Sequence, residues 1–352
     1  MDLYNLGTVP WLDSQLLYHA LAYLGREGLF LLQPGEPYVC LGFHQTAAQE
    51  VEAEYLQQHN IPLFRREVGG GAVYLDRGQL FYQLVIRADR PDVPVVKDAF
   101  YRKFLGPVVE TFNDFGVEAS FKPVNDIIVN NRKISGNGAA EINDMMILVG
   151  NFLMDFNYEM MAQSLRVPDE KFRDKVKKSL SDALTTLNRE LGDAAPTLEQ
   201  LSQRLIERYE PLLGEFTPRD VDDELRAEAE RLWREQFSDP GWLTANDRRK
   251  PDLRSVRIAE GVNVIERAYK SPGGLIRATA IERDGCLTNV HLSGDFFVFP
   301  ASSLVDLEMS LEGVVAESAA VEAQLTRFFE SQHIELPGVT PADIADALLQ
   351  KM

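Results

Sequence analysis

The stretch Arg65-Arg66-Glu67-Val68-Gly69-Gly70-Gly71-Ala72-Val73-Tyr74-Leu75-Asp76 constrains this chain more than any other. Three consecutive glycines stand between two arginines and a short apolar run. Glycine reaches positive φ and carries no side chain, so backbone N–H groups can close around a ligand there. Arg65 and Arg66 place fixed positive charge at the mouth of the turn. A turn of this kind suits a phosphate, an acyl phosphate or a thin extended ligand. Taken alone it fits a plain loop or a β-bulge equally well. No Gly-Lys-Ser/Thr follows, and the G-x-G-x-x-G spacing is missing, so neither common nucleotide-loop pattern applies.

A second motif runs from Lys122 through Pro123-Val124-Asn125-Asp126-Ile127-Ile128-Val129-Asn130-Asn131-Arg132-Lys133-Ile134-Ser135-Gly136-Asn137-Gly138. Ile127–Val129 is β-branched, and Asn130-Asn131 favours a tight type I′ turn because Asn tolerates the left-handed region. The expected hairpin carries Asn125 and Asp126 on one arm and Lys133 on the other. An amide, a carboxylate and a lysine could converge at one end. An ordinary exposed hairpin with solvated Lys and Asp is the competing reading.

Together the two motifs resemble the lipoate–protein ligase family, which carries R-R-x-x-G-G-G-A-V-x-x-D followed by N-D and G-R-K-I-S-G-x-A. Pro10-Trp11 at the first helix, Gly150-Asn151-Phe152-Leu153-Met154-Asp155 and Ser293-Gly294-Asp295-Phe296-Phe297 extend the likeness over most of the chain. The resemblance implies an α+β fold: a large biotin/lipoyl-ligase-like mixed sheet with flanking helices over residues 1–244, and a small α+β accessory domain over 252–352. It implies an ATP-dependent ligase that makes lipoyl-AMP from lipoate or octanoate and passes the acyl group to a lysine of a lipoyl carrier domain. That carrier would be an E2 subunit, a glycine-cleavage H protein or a specialised lipoate-binding protein.

The site residues that follow from the resemblance are Lys133 as the catalytic cation and Asp126 as the partner of Lys133 or of Mg²⁺. Arg65, Arg66, Gly69, Gly70, Gly71, Ala72, Val73, Tyr74, Asn125, Ile134, Ser135, Gly136, Gly138, Gly150 and Lys175 would bind acyl chain and adenylate. A hard divalent ion on carboxylate and phosphate oxygens fits Mg²⁺. The five histidines show no metal-ligand spacing, and His44 reads as a loop residue.

The chain departs from the family at several places. Tyr18 stands where the first helix usually carries an acidic residue. In Lys175-Val176-Lys177-Lys178-Ser179-Leu180-Ser181-Asp182-Ala183-Leu184, the adenylate-binding loop keeps Lys175 and Ser179 but has Ser181 and Ala183 in place of two arginines. The related octanoyl transferases form a thioester on a cysteine ahead of the hairpin or after the lysine loop. Here those places read Ala119-Ser120-Phe121 and Gly138-Ala139-Ala140. Cys40 reads as a small buried residue of a strand and Cys286 as a turn residue. An acyl-cysteine route therefore lacks a nucleophile at the expected position. A transferase, or a non-catalytic lipoate- or adenylate-binding homologue, remains the alternative.

At 352 residues with 45% hydrophobic content, the chain can bury two cores. The net charge of −18 opposes binding to nucleic acid and to anionic membranes. No apolar run reaches membrane-spanning length. No basic leader precedes the first hydrophobic residues, and the two cysteines suggest no disulfide framework, so the expectation is a cytoplasmic enzyme. Acidic carrier domains would need a local basic patch, and Lys171–Lys178 is the candidate.

Periodicity predicts helices over 11–24, 96–115, 197–213, 220–236, 302–312, 316–331 and 340–350. It predicts strands near 27–33, 37–42, 72–75, 80–86, 145–155, 255–269, 272–282 and 286–292. Residues 237–254 read as an interdomain linker, and Ser293-Gly294-Asp295 as a turn of structural role.

Overall fold

The computed structural model describes residues 1–167, 172–249 and 261–350. Its strands in chain order are β1 (Asp2–Val9), β2 (Gly28–Pro34), β3 (Tyr38–Leu41), β4 (Leu63–Arg65), β5 (Val73–Leu75) and β6 (Gln79–Arg87). Then come β7 (Ser120–Lys122), β8 (Asp126–Val129), β9 (Arg132–Ser135), β10 (Asn137–Ile142), β11 (Met145–Leu153) and β12 (Thr217–Pro218). The last three are β13 (Val262–Ser271), β14 (Gly274–Arg283) and β15 (Cys286–Gly294).

A six-stranded mixed sheet in the order β10-β11-β6-β2-β1-β12 forms the main layer. β6 is its centre, antiparallel to both β11 and β2. Its residues Gln79–Ile86 are all buried, as expected of a strand covered on both faces. The helix Lys97–Asp114 covers one face with Phe100, Phe104, Val108 and Phe112, each fully buried. It packs on the helix Leu198–Leu213, whose Tyr209 hydroxyl donates to the Phe104 carbonyl at 2.8 Å. That second helix begins with a capping box between Thr197 and Gln200.

Two three-stranded sheets build the rim of the cleft described below. In one, β3 pairs with β4 in parallel and with β5 antiparallel, bringing both ends of the glycine run to one place. In the other, β7, β8 and β9 form the expected hairpin and its neighbour. Asn130 and Asn131 have φ of +49° and +62°, the left-handed pair that a type I′ turn requires.

The C-terminal part is an antiparallel sheet of β13, β14 and β15 with helices Ser303–Ser310, Ser318–Gln332 and Pro341–Leu349. It has its own apolar core, drawn from residues 265–348. Phe297 and Phe299 belong instead to the core of the large layer. The bounds 244 and 252 fall on either side of the helix Ala245–Arg249, and 250–260 lie outside the described residues.

One expectation is corrected here. Residues 240–249 do not form a loose linker. They fold as helices Pro240–Leu243 and Ala245–Arg249, pinned to the large layer by polar contacts. Trp242 Nε1 donates to Arg65 O at 2.9 Å, and Asn246 Nδ2 donates to Phe43 O at 2.6 Å. The Asp247 carboxylate accepts from the N–H groups of Ala47 and Ala48 at 3.0 and 2.8 Å, satisfying free donors at a helix start.

Candidate active site

A cleft of about 510 Å³ opens between the glycine run, the β8–β9 hairpin and the C-terminal sheet. Lys133 on β9 pairs with Ile128 of β8, and Asp126 lies two residues further along the same strand. Alternation puts Asp126 and Lys133 on one face as a diagonal pair within reach of a long side chain. Lys133 Nζ lies 2.7 Å from Asp126 Oδ1, and both side chains are about a third exposed, at 34% and 31%.

Amide groups fix the surroundings of that pair. Asn137 Nδ2 donates to Asn125 O at 2.9 Å, and Asn125 Nδ2 donates to Asn137 O in return. Asn137 Oδ1 accepts from the Tyr82 hydroxyl and, at 3.2 Å, from Ser135 Oγ. Asn151 Oδ1 accepts the Gly136 N–H at 2.8 Å, while its Nδ2 donates to Gln79 Oε1 at 2.7 Å. Gly150 sits opposite both Asn137 and Tyr82. A Cβ there would lie 2.3 Å from Asn137 Oδ1 and 2.4 Å from the Tyr82 hydroxyl, so only glycine fits.

Arg66 organises the glycine run. Its guanidinium donates to Gly69 O at 2.7 Å, Gly71 O at 3.0 Å and Cys40 O at 3.2 Å, and the run curls around it. Gly70 has φ of +89°. The chain also passes close to Gly42, where a Cβ would lie 1.8 Å from Gly70 O.

The structure brings Arg66, Gly70, Gly71, Ala72, Val73, Asn125, Asp126, Lys133, Gly136, Gly138 and Gly150 to the cleft wall. The other expected site residues lie elsewhere. Arg65 is buried, with its guanidinium donating to Gly42 O, Phe43 O and Gln45 O at 3.1, 3.0 and 2.7 Å and to Leu243 O at 2.8 Å. Burial lowers its pKa to about 10. It therefore clasps the loop and the helix Pro240–Leu243 rather than a ligand. Gly69 packs under Phe296, and Tyr74 and Ile134 are core residues. Ser135 supports the cleft from behind through its 3.0 Å contact with the Tyr82 hydroxyl.

Lys175 lies on the helix Arg173–Ala183 and does not line the cleft. In the basic cluster, Lys171 lies outside the described residues. Arg173 is buried and donates to Ala162 O at 2.6 Å, while Lys177 is paired with Glu159. The cluster is thus partly consumed within the fold.

Other lining residues were not expected in the cleft from the sequence. Gln15, Tyr18, Cys40 and Gln83 form a polar floor under the first helix, Asp13–Tyr23. Cys40 is buried as expected, yet it also lines the cleft. Burial pushes its thiol pKa up, against the pull of Arg66. The C-terminal sheet contributes Lys270, Gly273, Gly274, Asp295 and Phe297. Asp295 is therefore more than a turn residue. His44 lies on a loop but is buried, and its ring stacks on Phe296 at 5.4 Å. Burial lowers its pKa to about 3.

Four cations (Arg66, Lys122, Lys133 and Lys270) and two carboxylates (Asp126 and Asp295) line the cleft, an excess of two positive charges. In a chain of net charge −18 this is a local region of positive charge. Among the described residues, no group of three or more His, Cys, Asp or Glu is arranged to hold a metal ion. No helix among them is long and apolar enough to cross a membrane.

Residues 11–210 match the family described as the lipoyl protein ligase A/B catalytic domain. This chain belongs to that family. It is 26% identical over 329 residues to lipoate–protein ligase 1 of Staphylococcus aureus, covering 92% of both chains. It is also 20% identical over 230 residues to an octanoyltransferase LipM of Halalkalibacterium halodurans, covering 58% of this chain and 83% of that one. Its fold is similar to a bipartite lipoate protein ligase of Thermoplasma acidophilum, described with its E2 lipoyl domain. That match has a TM-score of 0.61 at 25% identity and covers 69% of this chain and 95% of the other. A lipoate-protein ligase A bound with ATP gives a TM-score of 0.58 at 22% identity, over 69% and 98% of the two chains. The mixed-sheet ligase fold expected from the two motifs is thus the fold found.

Proposed function

We propose that the protein is an ATP-dependent lipoate–protein ligase. The observation that carries this reading is the Lys133–Asp126 pair facing an Arg66-held glycine turn in a cleft with excess positive charge. A carboxylate is a poor acylating agent, and converting it to a mixed anhydride with AMP supplies a good leaving group. In the first step a carboxylate oxygen of lipoate or octanoate attacks the α-phosphorus of ATP. The bond to the β-phosphate oxygen breaks and pyrophosphate leaves. In the second, a lysine amine of a lipoyl carrier domain attacks the acyl carbonyl, AMP departs, and an amide forms.

Lys133 contacts the α-phosphate and the acyl oxygen, where negative charge builds in both steps. Asp126 aims that ammonium, and Asn125 and Asn137 fix the arm that carries Asp126. The Gly70–Gly71 backbone holds the acyl head group. Mg²⁺ fits the site only as a shared ion, on Asp126 and phosphate oxygens, and would there offset phosphate charge. A carrier such as an E2 lipoyl domain is the expected partner, in keeping with the archaeal relative.

The octanoyltransferase relatives and the position of Cys40 give a second reading, acyl transfer between carriers without ATP. The buried, raised-pKa thiol of Cys40 disfavours it, because the thiolate is the nucleophile. Incubation with lipoate, ATP and a lipoyl carrier domain should add one lipoyl mass to the carrier, and omission of ATP should abolish it. Carrier modification from an acylated donor without ATP would replace the ligase with the transferase. No modification in either format would leave only a binding protein.

A further inference from the structure

The cleft changes character along β6. By strand alternation Gln79, Phe81 and Gln83 share one face of that strand. Asn151, opposite Phe81, accepts the Gly136 N–H and bonds to Gln79. A Cβ on Gly136 would lie 3.6 Å from Lys133 Cε, so this end of β6 belongs to the charged Lys133–Asp126 pair. Phe81, Leu75 and Val149 then supply apolar lining. Gln83 lies two residues beyond Phe81, roughly 7 Å further along the strand, on the polar floor under the first helix. Its side chain is 2% exposed. Gln83 Nε2 donates to Ser14 O at 2.7 Å, which fixes the amide orientation, because the flipped form would set two carbonyl oxygens against each other. Gln83 Oε1 is buried with no hydrogen-bond partner among the described residues.

The donors of the neighbouring floor residues are already committed. The Tyr18 hydroxyl donates to Gln15 Oε1 at 3.2 Å, and Gln15 Nε2 donates to the Tyr38 hydroxyl at 2.7 Å. Ser14 Oγ donates to Trp11 O at 2.5 Å, which leaves the Tyr38 proton for Ser14 Oγ at 2.9 Å. The network runs away from the cleft and ends on a backbone carbonyl. A buried acceptor without a donor is unfavourable until one arrives, so this floor suits a ligand whose far end donates. Octanoate ends in a methyl group and oxidised lipoate in a ring disulfide, and neither donates. Dihydrolipoate ends in two S–H groups.

We propose, resting on the ligase reading, that Gln83 sets the acyl specificity. Its Oε1 accepts a hydrogen bond from a donor at the far end of the bound acid, so the dithiol form of lipoate is preferred to its cyclic disulfide and to octanoate.

The test is calorimetric titration of the full chain, free of oxygen, with paired acids. ω-Hydroxyoctanoate against octanoate isolates the donor from sulfur chemistry, and dihydrolipoate against lipoate carries it as thiols. ω-Hydroxyoctanoate should bind on the order of 10-fold more tightly than octanoate. Dihydrolipoate should bind about 3-fold more tightly than lipoate, since a thiol is the weaker donor. Gln83→Met removes the acceptor with little change of volume and should abolish both preferences without weakening octanoate. The two comparisons in the unaltered protein stand by themselves if that variant does not fold. Absence of either preference, or its survival in folded Gln83→Met, would overturn the proposal. Acid-dependent pyrophosphate release is read in parallel. Release without the preferences would leave the ligase and remove this proposal; the preferences without release would leave a selective acid-binding site and remove the ligase.

Discussion

The ring of Phe297 occupies the space beside Gly70. A Cβ on Gly70 would lie 3.0 Å from Phe297 Cζ, and one on Gly69 would lie 2.8 Å from Phe296 O. The glycine run is therefore shaped by two demands, a turn around Arg66 on one side and the C-terminal layer on the other. Gly70 also holds φ of +89°, which a side chain adopts only with strain. Gly70→Ala should lower the unfolding free energy by about 1–3 kcal/mol. It should also weaken lipoate binding, because the turn and the Phe297 contact must shift together. Urea unfolding and calorimetric titration measure the two effects. An alanine variant with unchanged stability would contradict the packing described.

Arg65 and Arg66 should separate cleanly on substitution. Arg65 bonds to backbone carbonyls away from the cleft and lies 4.0 Å from the Asp247 carboxylate, so Arg65→Ala should cost about 3 kcal/mol of stability or more by removing several buried charge-assisted hydrogen bonds. The remaining folded protein should keep its lipoate affinity. Arg66→Ala should lower that affinity as well, since Arg66 shapes the cleft wall. Denaturation curves paired with binding titrations distinguish these patterns, and equal loss of affinity in both variants would contradict the placement of Arg65.

Glu308 makes stability depend on pH. It is buried on the helix Ser303–Ser310, paired with Arg249 of the helix Ala245–Arg249, and accepts the Leu292 N–H at 2.8 Å. Burial pushes its pKa up to about 7, against the pull of Arg249. The folded protein therefore binds this proton more tightly than the unfolded chain. The resulting stability is fully present below the unfolded value of 4.5 and is lost as pH rises through about 7. The loss should be on the order of 1–3 kcal/mol. Glu308→Gln should flatten this part of the profile, as read from denaturant midpoints at pH 5 and pH 8.

Lys133→Ala should reduce carrier lipoylation about 10²–10³-fold, the usual effect of removing one donor aimed at developing charge. Asp126→Asn, which leaves the ammonium present but less well aimed, should cost less. Steady-state rates with the carrier domain check the order of the two effects. Activity within a few-fold of the unaltered protein in Lys133→Ala would place the chemistry elsewhere.

Much of this was legible in the chain because it is local. The Asn130-Asn131 turn and the Asp126–Lys133 diagonal follow from strand alternation and a two-residue hairpin. The long helix Lys97–Asp114 follows from its phenylalanine stripe. What was not legible depends on distant contacts. Arg65 and Arg66 are neighbours at the end of β4, and adjacent residues there face opposite ways, so charge alone could not say which one meets the cleft. Lys270 and Asp295 reach the site only because Phe296 and Phe297 lie on the glycine run. Residues 240–249 read as a linker because they are polar, but their polar groups are spent on the 42–46 loop and the start of the helix Ala47–Glu50 that follows it.

Lipoate-dependent exchange of labelled pyrophosphate into ATP by the purified protein tests the adenylate route most directly. The adenylate route predicts exchange that requires lipoate, proceeds without any carrier domain, and falls about 10²–10³-fold in Lys133→Ala. Exchange that ignores lipoate, or none at all from a protein that still modifies a carrier, would contradict the adenylate route.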